Sequence, residues 1–304
     1  MQKLIIGCGY VGREVARRWL EAGHDVAALT RSEANAQQFS DLGIQPVLGE
    51  ITNPETLQGL PESETVLYAV GFDRSASQSR REVYVEGLSH ALSVIKERTQ
   101  QIIYLSSTSV YGQTAGEWVD ETSACEPERE NGQICLEAEQ LFAQQGLLGE
   151  TAVEGNARAV ILRLAGIYGP GRLLARMEQI KAGEPLAGRP DAWLNLIHLD
   201  DIVQTILRCD GDSQLASHYL VSDSRPVTRQ EYYETLAQLI EAPQPRFATG
   251  EAADVKSKST RPNSTERAAG VNKRCNNKRL REELGVELQY PSIWEGLSQA
   301  IKNT

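Results

Sequence analysis

No stretch of this chain comes near 18 consecutive apolar residues, and its mean hydropathy is −0.37. A bilayer-spanning helix needs about 20 such residues, so no membrane span is expected. Basic residues are in deficit: 31 Lys and Arg stand against 41 Asp and Glu, a net charge of −10. Nucleic acids and anionic membranes recruit basic surfaces, so neither is an expected partner. The cysteines (Cys8, Cys125, Cys135, Cys209 and Cys275) are odd in number and show no C-x-x-C spacing. The histidines (His24, His90, His198 and His218) are equally scattered. This is neither a disulfide framework nor a zinc pattern, and no metal is expected. The first residues enter a strand pattern at once, without the basic, apolar and small-residue series of a signal peptide. The expected compartment is the cytoplasm.

What is present is a chain of 304 residues, enough for one large domain or two ordinary ones. Its N-terminal half alternates short apolar runs with amphipathic stretches. Strands are expected at residues 3–6, 25–29, 44–48, 65–70, 101–106 and 159–164, with Pro46 marking the third as an edge. Helices are expected at 11–22, 81–98 and 131–145. Strands alternating with helices predict an α/β fold with a parallel sheet covered on both faces. Beyond Leu164 the pattern loosens. It gives helices at 173–182 and 200–209, strands at 193–197 and 218–221, and a helix at 228–240. Thr228 and Glu231 there form a capping box. Residues 247–270 are poor in apolar residues and read as a mobile loop, followed by short helices near 277–284 and 293–302.

Gly7-Cys8-Gly9-Tyr10-Val11-Gly12 fits G-x-G-x-x-G. It follows a strand, opens a helix and begins a strand–helix–strand unit, the context that makes it a dinucleotide-binding turn. Gly7 makes the tight turn, Gly9 admits the pyrophosphate to the backbone, and Gly12 lets the helix pack on the strand. Tyr10 and Val11 open the helix whose free N–H groups face the phosphates. The second strand ends Thr30-Arg31-Ser32, with no acid at its tip. An acid there would select NAD and an Arg the 2′-phosphate of NADP, so the expected cofactor is NADP, with NAD the alternative. Arg13 is a candidate second cation. Glu50, where the third strand ends, is a candidate adenine contact or a solvated turn acid.

Three further segments carry a resemblance. Leu105-Ser106-Ser107-Thr108-Ser109-Val110-Tyr111-Gly112 resembles the fifth-strand segment of extended short-chain dehydrogenases, the NAD-dependent epimerase/dehydratase family. Arg163-Leu164-Ala165-Gly166-Ile167-Tyr168-Gly169-Pro170-Gly171 and Asn195-Leu196-Ile197-His198-Leu199-Asp200-Asp201 resemble two others. The resemblance implies a Rossmann-type doubly wound parallel sheet of about seven strands. It implies a nucleotide domain at 1–168 and 196–222 and a smaller C-terminal substrate lobe at 169–195 and 223–304. Helix-mediated dimers occur in the family, so a monomer or homodimer is expected. Ile134, Ala138 and Leu141 are either a dimer stripe or a face buried on the sheet.

Family members work with a Ser or Thr, a Tyr, and a Lys four residues after the Tyr. The Lys cation lowers the phenol's pKa, and the Tyr then exchanges the substrate's hydroxyl proton. Ser107 matches the serine. The Tyr and Lys positions align with Asn131 and Cys135, and no Tyr-x-x-x-Lys occurs elsewhere. Asn131 cannot exchange a proton usefully, and Cys135 brings no cation. Thr108 and Ser109 stand where dehydratase-type members carry an Asp–Glu pair, which argues against that chemistry. Tyr111 reads as packing rather than as a substitute acid. Two readings remain. One is an oxidoreductase or epimerase-like enzyme on a small molecule, with Ser107, Thr108 and Asn131 polarising the substrate oxygen. The other is a catalytically inactive regulatory or redox-sensing NAD(P)-binding protein.

Overall fold

The computed structural model describes residues 1–73, 75–149, 157–172, 174–248 and 270–302. Strand β1 (Gln2–Ile6) lies inside a seven-stranded sheet. To one side come β2 (Asp25–Thr30) and β3 (Gln45–Leu48); to the other, β4 (Ser63–Tyr68), β5 (Thr99–Ser107) and β7 (Arg158–Leu164). The last strand on that side, β11 (His218–Val221), completes the order β11-β7-β5-β4-β1-β2-β3, and every pairing is parallel. The strands read as continuous apolar runs because both faces are covered. Side chains alternate. Ile5, Ala28, Leu67, Ile103 and Val160 share one cluster with Val15 and Trp19 of α1 (Tyr10–Glu21) and Ile202 and Ile206 of α6 (Leu199–Cys209). Leu4, Ile6, Val66, Tyr68 and Ile102 face the other way, onto α3 (Gly87–Ile95) and α4 (Glu130–Gln144). Each fully buried Leu or Ile contributes about 1.5–3 kcal/mol of transfer free energy. The doubly wound α/β fold is therefore observed, and Pro46 does sit on an edge strand.

Several elements differ from the sequence pattern. The helix expected from residue 81 opens as one π-turn, Glu82–Glu86, before α3. Helix α2 (Glu33–Asp41), capped by Ser32 accepting from Asn35 N, was absent from the expected set. Its only buried residue is Phe39, so it has almost no apolar stripe to read. The single strand expected at 193–197 breaks into β9 (Trp193–Leu194) and β10 (Leu196–His198). The break falls at Asn195, whose side chain donates to Lys273 O at 2.9 Å and accepts from Cys275 N at 2.6 Å. These bonds bind it to β13 (Lys273–Cys275), which itself pairs with β6 (Glu117–Val119). Neither short strand was expected. The loop expected at 247–270 falls mostly outside the described residues, and so does Leu173.

A third cluster gathers Tyr168, Met177, Ile180, Tyr232, Leu236, Ile293 and Leu297. It joins α5 (Leu174–Lys181), α7 (Arg229–Leu239) and α9 (Ile293–Lys302). The Thr228–Glu231 capping box is formed at the start of α7. Two buried polar groups tie α6 to the chain's end. His198 bonds Gln299 at 2.8 Å, and Asp201 accepts from Gln289 N and Tyr290 N. Ile134 and Ala138 are buried and Leu141 packs partly against the same sheet face, so this stripe is covered within the chain.

Candidate functional site

The glycine turn is fixed by backbone geometry. Gly7 has φ +96°, and a Cβ there would lie 2.5 Å from the backbone of Ala69 and Val70. A Cβ on Gly12 would approach Gly7 O to 2.8 Å, whereas one on Gly9 would meet nothing within 4 Å. Gly9 is thus the open face, and α1 starts there with no side-chain cap. Uncapped N–H groups and the positive end of the helix dipole suit a pyrophosphate. The turn opens on a cleft of about 750 Å³ lined by Gly7, Gly9, Tyr10, Val11, Thr30, Arg31, Glu50 and Ser107. Gly12 sits behind it, supporting rather than lining. Tyr10 spans the mouth, its hydroxyl donating to Pro170 O at 2.9 Å while Arg172 stacks on its ring. Arg172 also lines the cleft and was missed in the sequence. Its signal was present, a cation just after the Gly-Pro-Gly turn. Arg13, by contrast, turns aside onto Gln38 and Phe39.

At the far end of the cleft stands Arg31. It pairs with Asp73 and lies 3.7 Å from Glu50. Gln78 donates to Glu50 as well, at 3.3 Å. Glu50 thus takes part in a polar cluster with Arg31 and Gln78 at this end of the cleft. Cys8 lies in the turn, where burial pushes its thiol up to about 12 and disfavours the thiolate.

Ser107 ends β5. Its Oγ accepts from Ser109 N at 3.1 Å, which leaves the hydroxyl proton to donate. A second cavity of about 450 Å³ begins here, lined by Ser107, Thr108, Asn131 and Cys135. The sequence-expected catalytic residues are therefore brought together. Gly132 makes this possible: a Cβ there would come 2.3 Å from Ser109 O, so α4 packs hard against the turn after Ser107. Asn131 is half-buried at the cavity wall. At Cys135, burial raises the thiol's pKa, with a Ser109 hydrogen bond as a smaller opposing influence. It brings neither a cation nor a reactive thiolate. Tyr111 is fully buried and its hydroxyl accepts from Arg163 at 2.9 Å. Burial drives that phenol's pKa up, against the pull of Arg163, so it holds its proton and packs. Arg163 in turn is bonded to Glu139, which also accepts from Ser106 at 2.5 Å, forming a rigid polar floor beneath Ser107.

Two residues line both cavities: Ser107 and Tyr84. Tyr84 lies on the π-turn, and its hydroxyl accepts from Phe72 N at 3.0 Å, leaving its own proton to donate. Burial raises its pKa, while the Phe72 N–H and the Arg80 guanidinium oppose that rise. No sequence signal marks this role, since Tyr84 sits in an ordinary amphipathic pattern. Lys273, Arg80 and Arg129 also line the second cavity. Lys273 was missed because its strand is three residues long and pairs with one more than 150 positions away.

Known proteins share this fold. The chain is 27% identical to Protein YeeZ of Escherichia coli over 299 residues, spanning 94% of this chain and 95% of that one. A functionally unknown conserved protein from Silicibacter pomeroyi superposes with a TM-score of 0.75 at 27% identity, covering 97% and 96% of the two chains. The UDP-glucose 4-epimerase of Thermus thermophilus, solved in complex with NAD, gives a TM-score of 0.78 at 16% identity over 100% and 98%, a likeness of fold. The model of the NAD dependent epimerase/dehydratase family matches residues 4–212, and the chain belongs to that family.

Proposed function

We propose that the protein is a nicotinamide-dinucleotide-dependent oxidoreductase or epimerase-like enzyme acting on a small molecule, with NADP as its cofactor. The observation that carries this reading is the meeting of two open cavities at Ser107 and Tyr84. A binding-only protein has no need of a second chamber beside the reactive end of its nucleotide. The cofactor, when bound, supplies or accepts a hydride. Gly7, Gly9 and the N-terminus of α1 hold the pyrophosphate, with Tyr10 and Val11 beside it. Thr30, Arg31 and Glu50 surround the adenosine. Arg31 is the cation for a 2′-phosphate, which exchanges for Asp73 on its guanidinium. Ser107 donates to the substrate oxygen, and Thr108 and Asn131 complete its polar surround. Tyr84, a phenol at the boundary whose hydroxyl keeps its proton, donates a second hydrogen bond to the substrate oxygen.

The nucleotide domain at 1–168 and 196–222 and the lobe at 169–195 and 223–304 are the corresponding halves, with the substrate between them. Support for the lobe comes from its separate apolar cluster. The experiment is a calorimetric titration with NADPH and with NADH, repeated on Arg31→Ala. Tighter NADPH binding in the wild type, lost in the variant, supports the assignment. Equal affinity in the wild type removes the NADP preference, and absence of both removes the enzyme reading.

A further inference from the structure

The described residues include three buried Lys or Arg side chains: Lys3, Arg163 and Lys273. Two of them are neutralised. Lys3 Nζ bonds Asp210 at 2.7 Å, Glu64 at 3.0 Å and Thr65 at 3.2 Å. Arg163 has Glu139. Lys273 is different. It is 6 % exposed, and its Nζ donates to the backbone carbonyl of Tyr111 at 2.9 Å. Among the described residues no carboxylate pairs with it. An ammonium buried without a counter-charge costs several kcal/mol, and folds normally remove or neutralise such a group. Here it lines a 450 Å³ cavity instead. Its charge is compounded by Arg129 nearby, and Arg80 lines the same cavity. The carboxylate at the wall belongs to Glu128, which is exposed.

We propose that the second cavity selects small substrates bearing a carboxylate, which pairs with the Lys273 ammonium while the reacting oxygen meets Ser107 and Asn131. The proposal rests on the oxidoreductase reading for the reacting oxygen, but the anion site stands on Lys273 alone. A carboxylate supplies the missing counter-charge in a setting of low dielectric, where a charge-assisted bond is strongest. The anchor also explains how a cavity without the family's Tyr and Lys keeps a substrate in register. Fixing one end of a small molecule orients the other.

The groups facing Lys273 are Arg129, Cys125, Cys275 and the ring and carbonyl of Tyr111. Burial lowers the Lys273 pKa to about 8. Burial also raises both thiols, Cys275 to about 12. Between pH 6 and about 9 the titrating member of this set is therefore Lys273, and carboxylate affinity must fall as the pH passes about 8.

The test is a saturation-transfer NMR titration of the full chain with pyruvate, acetone and inorganic phosphate, on wild type and Lys273→Met. Pyruvate is expected to bind the wild type and acetone not to. Lys273→Met should weaken pyruvate about tenfold or more, the size of a lost charge-assisted bond. Equal pyruvate binding by both proteins, acetone binding as well as pyruvate, or no pyruvate binding overturns the proposal. Phosphate that displaces pyruvate and binds more tightly overturns the carboxylate assignment in favour of a phosphate. If Lys273→Met does not fold, the wild-type pH series decides: affinity unchanged from pH 6 to 9 contradicts the site. NADPH titration of the same proteins separates this proposal from the redox reading, since loss of NADPH binding in the wild type would sink only the latter.

Discussion

In the 750 Å³ cleft the decisive features are backbone: the turn at Gly7 and Gly9, an uncapped helix start and strand ends. In the adjoining 450 Å³ cavity they are side chains drawn from five separate segments, at Arg80 and Tyr84, Ser107–Gly112, Pro127–Cys135, Trp193–Asn195 and Val271–Lys273. At Gly7 and Gly12 the first is constrained by sterics that leave no room for a Cβ. In the second, Gly132 packs α4 against the turn after Ser107, and the Arg163–Glu139 pair lies buried nearby. The glycine turn keeps the family pattern, while Asn131 and Cys135 stand in place of the usual pair.

The largest effect is expected at Gly7. Gly7→Ala puts a Cβ 2.5 Å from backbone at a positive φ. It should cost about 2 kcal/mol or more and abolish NADPH binding, read by thermal melting and calorimetry. Pyruvate binding at Lys273 should survive in whatever fraction folds. A Gly7→Ala protein with wild-type stability and NADPH affinity would mean the cleft is not sterically fixed. Next in size is Lys273→Met, the converse: lost anion binding with NADPH affinity within about twofold of wild type.

Arg31→Ala should reduce the preference for NADPH over NADH about tenfold, measured by paired titrations. Asp73→Asn should shift it the opposite way, because the carboxylate competes for the same guanidinium. An Asp73→Asn protein with weaker NADPH binding would contradict that exchange. The smallest effect lies outside both cavities, at Asp223. Burial raises its carboxyl to about 8, and its Oδ2 has no hydrogen-bond partner. The folded chain therefore holds a proton that the unfolded chain releases above its ordinary value of 3.8. The stability contributed by the protonated form is complete below about 4 and declines as the pH rises toward about 8. Asp223→Asn should remove that decline and raise the melting temperature at pH 8 by a few degrees (about 2–4 °C per kcal/mol), with ligand binding unchanged. Identical pH–stability curves for the two proteins would rule the protonated carboxyl out.

The same contrast explains what was legible. The seven strands of the central sheet, its parallel character, the glycine turn, the Thr228 cap and the strand-end Arg31 are local patterns, and each lies where the sequence pattern predicts it. Ser107 and Asn131 were legible through the family segments around them, and the structure places both on one cavity. Lys273 and Tyr84 were not. Lys273 reaches the cavity through a three-residue pairing across the chain, and Tyr84 through a π-turn inside an ordinary helical pattern. Long-range assembly of single side chains leaves no periodicity to detect. The same holds for Asn195, which splits a strand because its side chain bonds a partner about 80 residues away.

On the proposed function, a bound nucleotide ends at Ser107 and Tyr84 and faces the second cavity. A crystal structure of the NADPH complex tests this. The nicotinamide ring is expected against these two hydroxyls, its C4 open toward Asn131 and Lys273, and the 2′-phosphate on Arg31. A nicotinamide turned away from Ser107, or a second cavity closed by side chains around it, would contradict it.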